Sequence, residues 1–159
     1  MLAIAVTVPR LLWQSDDFSA LLLYRLRTSL FISPLPIVPR LLHFLCSRLS
    51  GVRIGDNVLL EEGVYIPHGE ITIDGVVRIG RNSSLFPWIT IGPSERSAVG
   101  PTLAEGVFVG TGAMILGDVR IGRGALIGAN ALVLSDVPAG ATAVGVPARV
   151  IERGRSDAK

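Results

Sequence analysis

The run Glu105–Pro138, EGVFVGTGAMILGDVRIGRGALIGANALVLSDVP, decides the fold of this chain. Within it Val109, Ile115, Ile121, Ile127 and Val133 fall six residues apart, and Leu103 extends the series upstream. A second small or branched residue stands four positions after each member from Leu103 on: Val107, Ala113, Val119, Ala125, Ala131 and Val137. Glycine often follows the first position, as in VGTG, IGRG and IGAN. Neither the helical period of about 3.6 nor the strand period of about 2 produces this spacing. A unit of one short strand and one corner does. Three such units close a triangular coil, and both recurring positions point inward. Each coil then stacks on the next at about 4.8 Å, the distance between paired strands. Glycine, Asn57, Asn82 and Asn130 suit the corners, where the backbone needs positive φ or little bulk.

Working outward, the same positions recur at Ile54, Leu60, Ile66, Ile73, Ile79, Leu85 and Ile91, with Val58, Val64, Val77, Ser83 and Ile89 as second members. Phase is lost twice. In VYIPHGEITIDG the step from Ile66 to Ile73 is seven, with the extra residue after His68. Such an insertion bulges the coil and re-aims a side chain out of its wall. Ile91 and Leu103 are twelve apart, but the intervening GPSERSAVGPT lacks the pattern, which predicts a loop ejected from the coil that rejoins in phase at Leu103. Excursions of this kind collect on one face of a solenoid, often the working one. The count predicts an all-β parallel β-helix of hexapeptide repeats over residues 52–151.

Composition agrees. Hydrophobic residues make up 49% of the chain but aromatics only 6%, beside 18 glycines, which suits thin layers of branched side chains. The net charge of +2 is mild, and the basic residues are dispersed without interleaved aromatics, so nucleic acid is not an expected partner. A lone cysteine, Cys46, permits no internal disulfide and no cysteine metal cage, as in a reducing compartment. The opening MLAIAVTVPR lacks a basic n-region and a cleavage site. The longest uncharged run before the repeats, TSLFISPLPIVP, is twelve residues and broken by prolines, too short to span a bilayer. A cytoplasmic location is expected.

Residues 1–51 read as a helical segment. Asp16 and Asp17 suit a cap for FSALLLYRLRTSLF, where Phe18, Leu22, Leu26 and Leu30 fall four apart, and Pro39 suits the first turn of RLLHFLCSRL. These helices either cap the first coil or lay an apolar, arginine-flanked face on a membrane. Residues 152–159 read as a polar tail.

The repeat region holds one histidine, His68, a candidate general base because imidazole exchanges a proton near neutral pH. Glu70 and Glu62 are the carboxylates nearest in sequence to orient it. A catalytic zinc needs three protein ligands. One histidine in the repeat, with His43 in the leader, does not assemble a three-histidine set, so no metal is expected.

GVRIGDNVLLEEGVYIPHG, VVRIGRNSSLFPWITIG and the run from EGVFVGTGAMILG to AVGVPARVI together resemble the serine acetyltransferase-like branch of the hexapeptide-repeat acyltransferases. The resemblance covers residues 52–151, and LLLYRLRTSLF and PRLLHFL resemble that branch's short helical leader. It implies a left-handed β-helix and a homotrimer with active sites between neighbouring helices. It implies acetyl-CoA as co-substrate, with His68 deprotonating an acceptor hydroxyl that attacks the thioester. The small residues Gly112, Ala113, Gly128 and Ala129 would leave room for pantetheine. Arg149, with Arg120 and Arg123, would meet the CoA phosphates as charge-assisted donors. Ser135 stands where related enzymes carry a CoA-proximal lysine. Two further positions depart from the family pattern: Arg53 replaces an aspartate fifteen residues before the histidine, and Gly100 replaces a second histidine. The resemblance leaves open serine or a sugar hydroxyl as acceptor, and a non-catalytic trimeric scaffold as a third reading.

Overall fold

A computed structural model describes residues 22, 24–26, 51–67, 70–95 and 97–151. The chain divides into two compact units, Met1–Arg53 with His68–Glu70, and Ile54–Pro67 with Ile71–Lys159.

In the first unit, Leu22 and residues 24–26 are helical, on the stretch whose four-residue spacing predicts a helix, and Tyr24 is buried. The expected caps, the second helix and the polar tail lie outside the described residues. Gly51 adopts φ +68°, and a Cβ there would come within 2.9 Å of the backbone nitrogen of Glu70.

The β-strands stack into three walls. The first contains β1 (Val52–Ile54), β3 (Ile71–Ile73), β6 (Thr90–Gly92), β9 (Met114–Leu116) and β12 (Leu132–Val133). The second contains β2 (Val58–Leu60), β4 (Val76–Ile79), β7 (Val99–Leu103) and β10 (Arg120–Ile121). The third contains β5 (Ser84–Leu85), β8 (Phe108–Val109), β11 (Leu126–Ile127), β13 (Thr142–Val144) and β14 (Arg149–Ile151). Successive coils pair in parallel, and only β14 turns back antiparallel on β13. The winding is a left-handed parallel β-helix.

The repeat explains the core. All thirteen first positions from Ile54 to Val133 are buried, as are all eleven second positions from Val58 to Val137. Each branched side chain so buried contributes roughly 1.5–3 kcal/mol. Backbone bonds run from coil to coil down the third wall, from Tyr65 N to Ser83 O at 2.8 Å, Ser84 N to Val107 O at 2.9 Å and Phe108 N to Ala125 O at 3.0 Å. At the corner between the second and third walls, Gly63, Asn82, Gly106, Gly124 and Gly140 all take φ between +56° and +72°. Ion pairs decorate the same corner. Glu61 accepts from Arg78 Nη2 at 2.6 Å and from the backbone nitrogen of Arg81 at 3.1 Å, and Arg123 meets Glu105 at 3.3 Å.

Both breaks in phase have a structural form. Tyr65 pairs with Ser84 and Thr72 with Thr90, so between these rungs one coil uses seven residues and the next uses six. The inward position passes to Ile71, which is 1% exposed. At the second break Ser94 and Ser97 exchange backbone hydrogen bonds of 3.1 Å, closing a tight reversal. The strand resumes at Val99, paired with Val76, earlier than the pattern at Leu103 suggests. Between Val99 and Thr102 the chain holds Gly100 and Pro101, where the partner strand holds only Val77. This bulge restores the register of Leu103 with Ile79.

Candidate functional site

The expected site residues fall into three groups. His68 lies outside the described residues. Glu70 is exposed with φ +60°. Glu62 is exposed on the corner between the second and third walls, where its carbonyl accepts from Asn82 N at 3.0 Å.

Gly112, Gly128 and Ala129 share one corner, between the third and first walls. Gly112 N bonds Pro87 O at 2.9 Å on one side, and Asn130 N bonds Thr111 O at 2.8 Å on the other. The space that a Cβ on Gly112 would take is filled by the Asn130 side-chain oxygen, and at Gly128 a Cβ would lie 2.7 Å from Val144 Cγ1. Coil stacking alone therefore favours these two glycines, since a larger residue would have to displace the Asn130 or Val144 side chain. Ala113 points into the core and is 0% exposed, whereas Ala129 faces outward.

Ser135 and Arg149 are exposed, the latter on β14 opposite Val144. Arg123 is engaged with Glu105. Arg120 donates its backbone N–H to Asp136 Oδ1 at 2.8 Å, and its guanidinium has no partner among the described residues. It borders an open cavity of about 420 Å³ with Thr102, Ala104, Asp136 and Pro138. This cavity lies on the second wall, where the single bridge from Ile121 to Val137 continues the wall below β10, and sequence reasoning did not anticipate it, since the spacing does not mark where a regular strand ends. None of the expected CoA residues at the other corner lines it.

The two family departures have clear surroundings. Arg53 is exposed, with no ion-pair partner among the described residues. At Gly100, buried in the β7 bulge, a Cβ would stand 2.6 Å from Val77 Cγ2. No side chain enters there unless Val77 gives way. Glu61 is the described carboxylate whose pKa is lowered, first by the Arg78 hydrogen bond and then by the Arg81 N–H. It lies on the ion-paired corner.

A model for the bacterial transferase hexapeptide (six repeats) matches residues 100–135. The serine acetyltransferase of Synechococcus elongatus is 39% identical over 139 residues, covering 86% of this chain and 57% of that protein. The serine acetyltransferase of Helicobacter pylori strain J99 is 36% identical over 139 residues, covering 86% of this chain and 81% of that protein. This chain belongs to the serine acetyltransferase family. A serine acetyltransferase solved in complex with CoA superimposes with a TM-score of 0.77 at 32% identity, over 84% of this chain and 56% of that one. The chain thus spans a little over half the length of its cyanobacterial relative, while it covers most of the shorter H. pylori protein. No described helix is long and apolar enough to cross a membrane.

Proposed function

We propose that this chain is an acetyl-CoA-dependent O-acetyltransferase acting on L-serine, with residues 52–151 as its acyltransferase domain. The observation that carries the reading is the 36% identity to a serine acetyltransferase of which this chain covers 81%. Among the acceptors that the sequence leaves open, the relatives' names support serine over a sugar hydroxyl. The CoA complex of a structural neighbour supports the co-substrate. The enzyme works as a homotrimer in the cytoplasm.

The chemistry needs one proton carrier. The His68 imidazole takes the proton from the acceptor hydroxyl as its oxygen forms a bond to the thioester carbonyl carbon. The carbon–sulfur bond then breaks, and the proton passes from the imidazolium to the departing thiolate. The products are O-acetylserine and CoA. General-base assistance of this kind is worth about 10²–10⁴-fold.

The test is thiol release from acetyl-CoA with L-serine. His68→Ala should slow it by about 10²–10⁴-fold while the fold is retained. Unchanged turnover in the variant removes His68 from the mechanism. Turnover confined to sugar acceptors replaces serine in the reading.

A further inference from the structure

The corners of the chain repeat one backbone device. A left-handed residue stands immediately before a buried inward one, as at Gly63 before Val64, Asn82 before Ser83, Gly112 before Ala113 and Asn130 before Ala131. Glycine and asparagine take up that φ at little cost. Glu70 stands in the same way before Ile71, with φ +60°, and Trp88 is the other described left-handed residue that is neither Gly nor Asn. A glutamate is strained there, and because Glu70 is exposed, burial offsets none of the strain. Strain that packing does not compensate marks a working position.

Gly51, in the same compact unit, makes room for this side chain. A Cβ on Gly51 would lie 2.9 Å from Glu70 N and 3.1 Å from Glu70 Cγ. The Glu70 side chain therefore sets out across the space that a glycine leaves. In the sequence Glu70 closes the seven-residue step, two positions after His68. Neither of two other charged candidates fills the same role. Glu62 belongs to the corner between the second and third walls, and the exposed Arg53 is a cation with no atom that accepts an N–H.

We infer that Glu70 is the positioning residue of the general base, its carboxylate accepting an N–H from the His68 ring and leaving the other ring nitrogen to take the acceptor proton. The inference rests on the reading of His68 proposed above and adds the group that orients it. An imidazole left to itself exchanges tautomers and turns about its bonds. A carboxylate on one nitrogen settles which nitrogen is bare and stabilises the imidazolium once the proton arrives. A left-handed glutamate supplies that carboxylate from a fixed corner, where glycine or asparagine would have made the turn without strain.

Thiol release from acetyl-CoA with L-serine on the full chain tests this, with circular dichroism to confirm folding. Glu70→Gly and Glu70→Asn both accept the left-handed φ and remove the carboxylate. Each should lower kcat by about 10–100-fold while KM for acetyl-CoA stays unchanged. Added to His68→Ala, neither should slow turnover further, because a positioning residue acts only through the ring it holds. Glu70 variants as fast as the wild type beside a slow His68→Ala overturn the inference alone, as does an equal further loss on the His68→Ala background. A ring titration by nitrogen NMR keeps the two readings apart. The chain has two histidines, and the signal absent from His68→Ala is that of His68. A carboxylate favours the charged ring, so the His68 pKa should fall by about one in Glu70→Gly. A wild type that leaves L-serine untouched sinks the proposed activity, and that fall in pKa then still upholds Glu70 beside the ring. An unchanged pKa overturns the inference whatever the activity.

Discussion

At Ser83 the repeat trades a branched residue for a hydroxyl that is fully buried. Its Oγ donates to Gly80 O at 2.8 Å and accepts from Val107 N at 3.3 Å, tying one coil to the next. Ser83→Ala keeps the volume nearly intact but leaves the buried Val107 N–H unsatisfied, at a cost of about 1–3 kcal/mol in urea denaturation. Glu61 contributes at the surface. Because hydrogen bonds from Arg78 and Arg81 lower its pKa, the charged form favours the folded state. That stability is present above the ordinary glutamate value of about 4.3 and is lost as pH falls through the lowered folded value. Glu61→Gln should therefore narrow the difference in melting temperature between neutral and acid pH, and an unchanged difference refutes the role. Of the proposed site, His68 is singled out in the sequence by its coincidence with a break in phase, and it lies outside the described residues. Gly112 and Gly128, which are proposed for the CoA side, are legible there only as small residues. That Asn130 and Val144 occupy the space beside them depends on which side chains successive coils bring together, and spacing does not encode that.

Among strands and corners, glycines that look alike in the sequence do different work. A Cβ on Gly80 would lie 2.5 Å from the Ala104 carbonyl carbon and 2.7 Å from Glu105 N, so two coils would have to separate. Gly124 has nothing within 4 Å of that position, and its φ of +65° is its sole constraint. Gly80→Ala should cost about 1–3 kcal/mol through overpacking. Gly124→Ala should cost only the left-handed penalty of about 1–2 kcal/mol, and it should not loosen coil contacts in hydrogen exchange. Equal protection loss in the two variants would refute the distinction. The hexapeptide count located the inward positions because each residue's direction follows from its place within six. It did not foresee the return of the chain at Val99, since a bulge at Gly100 and Pro101 restores phase without leaving an apolar mark.

For the molecule as a whole, the unequal walls carry the most information. Ion pairs gather on the second wall and its corner with the third, and aromatics gather on the third wall and the corner beyond it. Alternation within each unit explains the inside of the spiral, while the sorting of its outside follows from what each wall must face. The lower rim has a further consequence. Leu132 N is bonded to Gly145 O and Leu132 O to Ala148 N, and β14 runs against β13. On its first and third walls the rim of the last coil is thus covered by its own chain and offers no parallel template to the top of another spiral. Growth foot-to-head into a fibre, the hazard of any stack of open parallel strands, is opposed on those two walls.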